Sequence, residues 1–408
     1  MANSLLTIDM LTAETVRLWK NTNSFMQKIT HQYDDYYART GAKIGDTLRI
    51  RLPVDYTVRE GATASVQDTT EQQISLTMAT QNGVDMSFNT VDLTLSIDDF
   101  ASRYLMPAVN NLAGTVAVGV MSGSEGGVCN YVDNTASSAI ITPSSTTFLT
   151  ANAILDTNSA PTENRMIVTD PFTDARTAGA LAGLFNPATE ISRQYREGSM
   201  KNALGFSWMK DQTVLKHTSG TFTAGTVNGA NQTGTTITTN AITGTLKAGD
   251  IISFASVNGV NRITKQSTGQ VRQFVLLADV ASGGTSISIY PALIPGSASY
   301  DAATGAGAAQ YQTVTASPAN SAAISLASPA NTTYRKNIAF VPEAVTIATA
   351  DLVMPDNVQA AREQYDGVSM RMVRQYMVGT DQEITRLDVL WGSLWIRPEW
   401  AVVVADAV

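Results

Sequence analysis

Few side chains in this 408-residue chain stand at spacings that could do chemistry. The two histidines, His31 and His217, fall in different predicted elements. Neither has a cysteine or carboxylate at a metal-ligand spacing, so both read as solvated or structural. Cys129 is the single cysteine, which excludes an intrachain disulfide, a CxxC redox pair and a cysteine metal knuckle. Asp34-Asp35 and Asp98-Asp99 are paired acids, but adjacent residues do not face one another across a scissile bond. No Gly-x-Ser-x-Gly elbow and no Gly-x4-Gly-Lys-Ser/Thr phosphate loop occurs. Gly305-Ala-Gly307 sits in a run of small residues with no helix pattern behind it, so a dinucleotide would find no helix N-terminus there. Asn231-Gln-Thr233 matches a glycosylation sequon, which matters only in a secreted chain. The expectation is a protein that is not an enzyme, with no catalytic residue, no cofactor and no metal.

Composition narrows the class. Hydrophobic residues make up 44% and charged residues 15%, against about a quarter charged in an average domain. A surface so poor in charge has to be covered in some other way, and contacts between subunits are one. The net charge of −8 argues against tight binding to a phosphate backbone, which Lys and Arg carry. The opening MANSLLTIDML lacks the basic segment and apolar run of a signal peptide. No apolar run approaches the ~18 residues that span a bilayer. Folding in the cytoplasm, with no membrane partner, is the expectation.

The elements that must position these residues begin with residues 96–123, around which the chain is organised. Apolar residues recur at Leu105, Val109, Leu112, Val116 and Val120, one face of an α-helix. Ser96 serves as a cap, Asp98 and Asp99 favour the positive end of the helix dipole, and Gly123 supplies the stop. Pro107 predicts a bend near Arg103. The rod would span roughly 35–40 Å.

Upstream, residues 1–45 read as an arm, with a helix over 13–37 capped by Thr12. Its stripe is Val16, Trp19, Met26, Ile29 and Tyr33, broken at Asn21-Thr22-Asn23, so one helix or two remains open. Residues 46–95 switch to period two: Leu48, Ile50 and Leu52, then Ile74, Leu76 and Met78, then strands after a turn at Asn82-Gly83. Their polar middle has no core of its own and is either mobile or laid on another subunit.

Downstream, residues 124–216 alternate small strands and helices. A strand is expected over 165–169, a turn at Asp170-Pro171 and a helix over 191–204. Residues 217–334 change composition: only Lys247, Asp250, Arg262, Lys265, Arg272, Asp279 and Asp301 are charged between 217 and 333. Short alternating runs begin at Ile251, Val271 and Ile287, with turns at Gly249-Asp250, Asn258-Gly259 and Gly283-Gly284. This predicts an all-β barrel or sandwich inserted in a surface loop of its host. Its expected core includes Ile251, Phe254, Val271, Phe274, Val275, Ile287 and Ile289. Residues 335–408 return to the host pattern, with strands over 338–341, 344–348, 368–378 and through the tryptophan-rich end.

The order of these parts resembles the gene-five coat protein family of short-tailed Salmonella phages, which has the Hong Kong 97-type capsid fold. The stretches that carry the resemblance are Gly45-Asp-Thr-Leu-Arg-Ile50 after the arm, Asn110-Asn-Leu-Ala113 in the long helix, Gly249-Asp-Ile-Ile-Ser-Phe-Ala255 in the insert, and Arg386-Leu-Asp-Val-Leu-Trp-Gly392 running into Arg397-Pro-Glu399. The resemblance implies an α+β fold with an N-terminal arm (1–45), an extended β-loop over a neighbour (46–95), a spine helix of the peripheral domain (96–123), the first part of the axial domain (124–216), an inserted β-barrel (217–334) and axial and peripheral closing strands (335–408). It implies a major capsid protein of a phage virion, built into an icosahedral shell of pentamers and hexamers that encloses double-stranded DNA without reading its sequence. A separate scaffolding protein and a portal protein are the implied partners, and assembly would take place in the host bacterial cytoplasm. Arg49, Arg51, Arg59, Glu60, Trp19 and Tyr33 are the side chains expected to meet neighbouring subunits. One departure stands out: the family's best-known member carries a charged bridging loop in its insert, whereas residues 226–234 here are short and uncharged. The Thr/Asn/Gly-rich insert also fits a second class, a β-rich adhesin or receptor-binding virion protein.

Overall fold

A computed structural model describes residues 8–32, 47–52, 56, 61–62, 73–89, 104–136, 139–181, 200–296, 309–355, 358–365, 367–379 and 382–408. Helices are few and sheets dominate, so the class is mixed α+β. Among the described residues the strands run from β1 to β22 in chain order. The chain divides into two units. The first comprises Met1–Ile50, Ile74–Val120 and Val345–Ile396; the second comprises Arg51–Gln73, Met121–Ala344 and Arg397–Val408.

The first unit is built on one mixed sheet. Its centre is the long β21 (Gln382–Trp395), which pairs antiparallel with β20 (Val368–Met377), β18 (Val345–Ala350) and β4 (Thr80–Asn89). Beyond these lie β19 (Gln359–Tyr365) beside β20 and the short β1 (Thr30–Gln32), parallel to β18. A separate ribbon joins β2 (Thr47–Arg51) to β3 (Gln73–Thr77). The long helix runs over Met106–Ser122, about 25 Å at 1.5 Å per residue. Its stripe is inward as expected: Leu105, Val109, Leu112, Val116 and Val120 are all buried. Each such side chain contributes about 1.5–3 kcal/mol of transfer free energy. Pro107 is the second residue of this helix, directly behind a π-helical turn at 104–105. Ser96, Asp98, Asp99 and Arg103, the expected cap and bend, lie outside the described residues.

Two further expectations change in this unit. The first helix is Ile8–Thr22, earlier and shorter than 13–37. Thr12 is inside it, its hydroxyl donating to Ile8 O at 2.7 Å, and does not cap. The helix stops because Asn23 Oδ1 accepts from Phe25 N at 2.9 Å and Met26 N at 3.1 Å, so the side chain competes with the helical carbonyls. Asn82-Gly83 is not a turn but the interior of β4. A Cβ on Gly83 would stand 2.8 Å from Leu387 O and 2.5 Å from Asp388 Oδ1, so glycine is there for close approach to β21. Asn82 Oδ1 accepts from Trp391 Nε1 at 2.7 Å.

The second unit has its own sheet. β17 (Thr333–Phe340) is central: one edge pairs with β22 (Ala401–Ala407), the other with β11 (Lys216–Thr218) and then β8 (Met166–Thr169). β5 (Asn130–Val132) runs parallel to β22, and β10 (Phe206–Lys210) runs parallel to β8 with β9 (Asn202–Ala203) beyond. β6 (Thr135–Ala136) and β7 (Ala139–Ile140) form a small hairpin. The helix Ser145–Thr157 begins on a capping box between Ser144 and Thr147. Its buried Phe148, Ala151 and Leu155 pack with Ile167, Trp208, Val402 and Val404. Asp170-Pro171 opens a helix, Pro171–Leu181, with Pro in the first turn and Asp170 Oδ1 accepting from Phe172 N at 2.9 Å. Of the helix expected over 191–204, residues 191–199 lie outside the described residues, and 202–203 form a strand.

The segment 217–334 carries a five-stranded antiparallel sheet in the order β12 (Gly234–Thr238), β15 (Ser286–Leu293), β14 (Ser267–Leu276), β13 (Ile251–Val260) and β16 (Ile324–Leu326). Residues 224–227 bridge both to Thr239 and Thr243 and to Ala323, at opposite ends of that order. Phe254 and Phe274 meet at 5.4 Å in a core shared with Val227, Ile237, Ile287, Ile289 and Val314. Val271 is exposed, contrary to expectation: it lies three positions from Phe274, hence on the opposite face of β14 from the core residues Phe274 and Leu276. Asn258-Gly259 belongs to β13; the turn follows it, where Asn261 Oδ1 accepts from Ile263 N and Thr264 N. Among the described residues no helix is long and apolar enough to cross a membrane.

Candidate functional site

Of the residues expected to meet neighbours, Trp19, Arg49 and Arg51 lie among the described residues. Arg49 and Arg51 are exposed on alternate positions of β2, hence on one face of it. Trp19 is 1% exposed, so its ring has almost no surface to offer a neighbour. Tyr33, Arg59 and Glu60 lie outside the described residues. Among the described residues no group of three or more His, Cys, Asp or Glu could hold a metal ion.

Among the described residues a dense polar assembly lies instead where β11 pairs with β17, at the two ends of the segment 217–334. His217 lies on β11, opposite Tyr334 of β17. The imidazole is 5% exposed, and its Nε2 is 2.9 Å from Asp250 Oδ1. Asp250 Oδ2 accepts from Gly220 N at 3.0 Å and Lys247 N at 2.8 Å, so one buried carboxylate ties both the first residues of the insert and the Gly249 turn to His217. On the other side His217 Nδ1 is 3.7 Å from Glu125 Oε1. Tyr334 meets the imidazole edge-on at 5.5 Å, and Tyr131 meets Tyr334 at 5.7 Å. Gly249 has φ +89, and a Cβ there would stand 3.2 Å from His217 Cε1 and 3.3 Å from Glu125 Cβ. Only glycine satisfies both the turn and the approach.

The charges in this junction are mutually dependent. Burial pushes the His217 imidazole down, but the hydrogen bonds to Asp250 and Glu125 outweigh it and its pKa is raised. Glu125 is held low by its bond to His217, against the opposing effect of burial. Lys336, 2% exposed on β17, is pulled down to about 8 by burial, although Glu125 and Asp250 pull it upward. A second tie is neutral: the Gln273 amide on β14 accepts from Tyr131 N at 2.8 Å and donates to Tyr131 O at 3.0 Å, copying a strand pairing with a side chain.

Nothing in this geometry is a catalytic constellation: the imidazole is sealed between two carboxylates, and it serves as a fastener. Sequence reasoning placed His217 as structural or solvated but not its partners, which lie 33 and more residues away. The signals available were the Gly249-Asp250 turn and the position of His217 at the change of composition.

A model of the family described as P22 coat protein, gene protein 5, matches residues 8–404. Among solved structures, one titled Mycobacterium phage Che8 is 10% identical, with 94% of this chain and 90% of that chain covered and a TM-score of 0.46. The capsid of Cyanophage P-SCSP1u is 13% identical, covering 94% and 88%, with a TM-score of 0.45. The CUS-3 coat protein I-domain is 29% identical over 27% of this chain and 96% of that one, with a TM-score of 0.19. A comparison with curated proteins finds no match.

Proposed function

This chain belongs to the P22 coat protein family, and from that premise we propose that its copies close into an icosahedral head around double-stranded DNA. The chain is a major capsid protein, a structural and non-enzymatic virion component that assembles with copies of itself into a shell. Pentamers and hexamers, a separate scaffolding protein, a portal protein and assembly in the host bacterial cytoplasm complete the reading. The observation that carries it is the family match over residues 8–404. A charged fraction of 15% supports it, because a subunit whose surface becomes interface needs fewer charges than one facing water. The family match does not favour an adhesin.

Within this reading the fold is the Hong Kong 97 type. Residues 1–45 are the arm, 46–95 the extended loop, and the long helix the spine of the peripheral domain; 124–216 belong to the axial domain and 335–408 to the closing strands. Arg49 and Arg51 are the described candidates for contact with a neighbour, since both are exposed. The segment 217–334 is an inserted barrel. The antiparallel order of its strands, its own core and the bridges from 224–227 to both ends of that order support this.

Electron microscopy of the purified protein, with and without a co-expressed scaffold candidate, tests the reading. Closed shells or polyheads are expected. A monomer or compact trimer under both conditions would contradict it.

A further inference from the structure

A cleft of about 260 Å³ opens between the insert and its host. Arg262, Lys265 and Arg272 line it from the insert, and Cys129, Asn158 and Glu399 from the host. Among the described residues that line it, three are cations and one is an acid, in a chain whose net charge is −8. That acid is already shared: Glu399 Oε1 lies 3.6 Å from Arg262 Nη1 and 3.7 Å from Arg397 Nη1. Lys265 Nζ donates to a neutral carbonyl, Gln310 O, at 2.5 Å.

Arg272 is the decisive residue. Its Nη1 donates to Asn158 Oδ1 at 3.2 Å and its Nη2 stands 4.0 Å from Cys129 Sγ, so both partners are neutral. Burial pushes the Cys129 thiol up, which keeps it uncharged. Among the described residues the buried Nε of Arg272 has no acceptor at all. A guanidinium is a planar fork that pairs two-pronged with phosphate or carboxylate oxygens, and an uncompensated one in a half-enclosed site is costly unless an anion joins it. The volume lies below the ~300–1,000 Å³ typical of pockets for drug-sized ligands, which points to a small ligand.

We propose that this cleft binds a small multivalent oxyanion of the phosphate class, with Arg272 as its principal ligand and Arg262 and Lys265 beside it, and that the bound anion fastens the insert to its host. Because Arg272 stands on β14 while Asn158 and Cys129 belong to the host, the anion stabilises only the docked arrangement.

The test uses the full-length soluble chain, with inorganic phosphate and pyrophosphate as probes and chloride at matched ionic strength as control. Calorimetry should show saturable binding of pyrophosphate in the millimolar range or tighter. Arg272→Gln should weaken it at least tenfold, and Arg17→Gln, an exposed arginine far along the chain, should not. A second measurement needs no variant: pyrophosphate should slow alkylation of the buried Cys129 in the unmodified protein several-fold, and chloride should not. Absence of saturable heat, equal affinity in folded Arg272→Gln, or an unchanged alkylation rate would each overturn the proposal. If Arg272→Gln fails to fold, the alkylation rate decides.

Discussion

His217 Nε2 and Asp250 Oδ1 stand 2.9 Å apart, joining β11 to the start of β13 across 33 positions of sequence. The imidazole stands on β11, and the carboxylate holds Gly220 N and the turn at Lys247. Stability at this joint is therefore coupled to protonation.

The first prediction is a pH dependence with a definite sign. His217 has a raised native pKa relative to its ordinary 6.5, so its contribution is fully present below that value and is lost as pH rises through the native one. Glu125 is lowered from 4.5, so its contribution is present above 4.5 and is lost as pH falls through its native value. Thermal melts of the unmodified protein should decline from about pH 6.5 upward, and His217→Phe should remove that slope. Asp250→Ala leaves two buried donors, His217 Nε2 and Gly220 N, and the half-buried Lys247 N without an acceptor and should cost about 3–5 kcal/mol. Parallel slopes in the unmodified protein and His217→Phe would show that the junction does not titrate.

Lys336 predicts the opposite behaviour. Its native pKa of about 8 lies below its ordinary 10.5, so the folded state bears a constant penalty below pH 8 that disappears as pH rises toward 10.5. Lys336→Met should stabilise the protein at pH 7 by about 1–3 kcal/mol, as replacement of buried charge by apolar volume often does. The gain should vanish near the alkaline end of that window. Denaturant melts at both pH values measure it; destabilisation at pH 7 would mean that the ammonium holds Glu125 and Asp250 together more than it costs.

Gly119 sets how closely the long helix lies on β21. A Cβ at Gly119 would stand 2.5 Å from Trp391 Cη2 and 2.8 Å from its Cζ2. Trp395 Nε1 donates to Val120 O at 3.2 Å one residue on, which fixes the register. Gly119→Ala should destabilise by about 1–3 kcal/mol through overpacking. Combined with Trp391→Leu, its cost should be less than additive, since the clash is then gone. Strict additivity in the double-mutant cycle would rule out this contact as the cause.

The segment 217–334 has a single core and a sheet whose strands all lie inside it. At just over a hundred residues it is long enough to fold alone. Expressed in isolation it should yield dispersed amide resonances with β-type shifts. An undispersed spectrum would mean that ties such as His217–Glu125 and Gln273–Tyr131 are needed to hold it in shape.

The periodicity of the chain determined which faces turn inward. Leu105, Val109, Leu112, Val116 and Val120 repeat at helical spacing and are buried; Ile251, Phe254 and Ile287 fall in short apolar strand runs and are buried. The change to a charge-poor composition after residue 217 marks a stretch that carries its own five-stranded sheet. The tertiary structure alone decided what each face meets. Asn82-Gly83 has the local chemistry of a turn, yet it lies in a strand because Leu387 O and Asp388 need a residue without a Cβ beside them. Val271 stands in an apolar run, yet it lies on the face of β14 opposite to Phe274 and Leu276 and is exposed. Trp19 looked like a contact for a neighbour and is covered by its own chain. His217, Glu125, Asp250 and Lys336 carry no common motif, because their meeting depends on strand pairing between distant segments. Local sequence biases a residue's own backbone and its exposure; it does not encode the partner, since partners are chosen by the packing of whole elements across long chain separations.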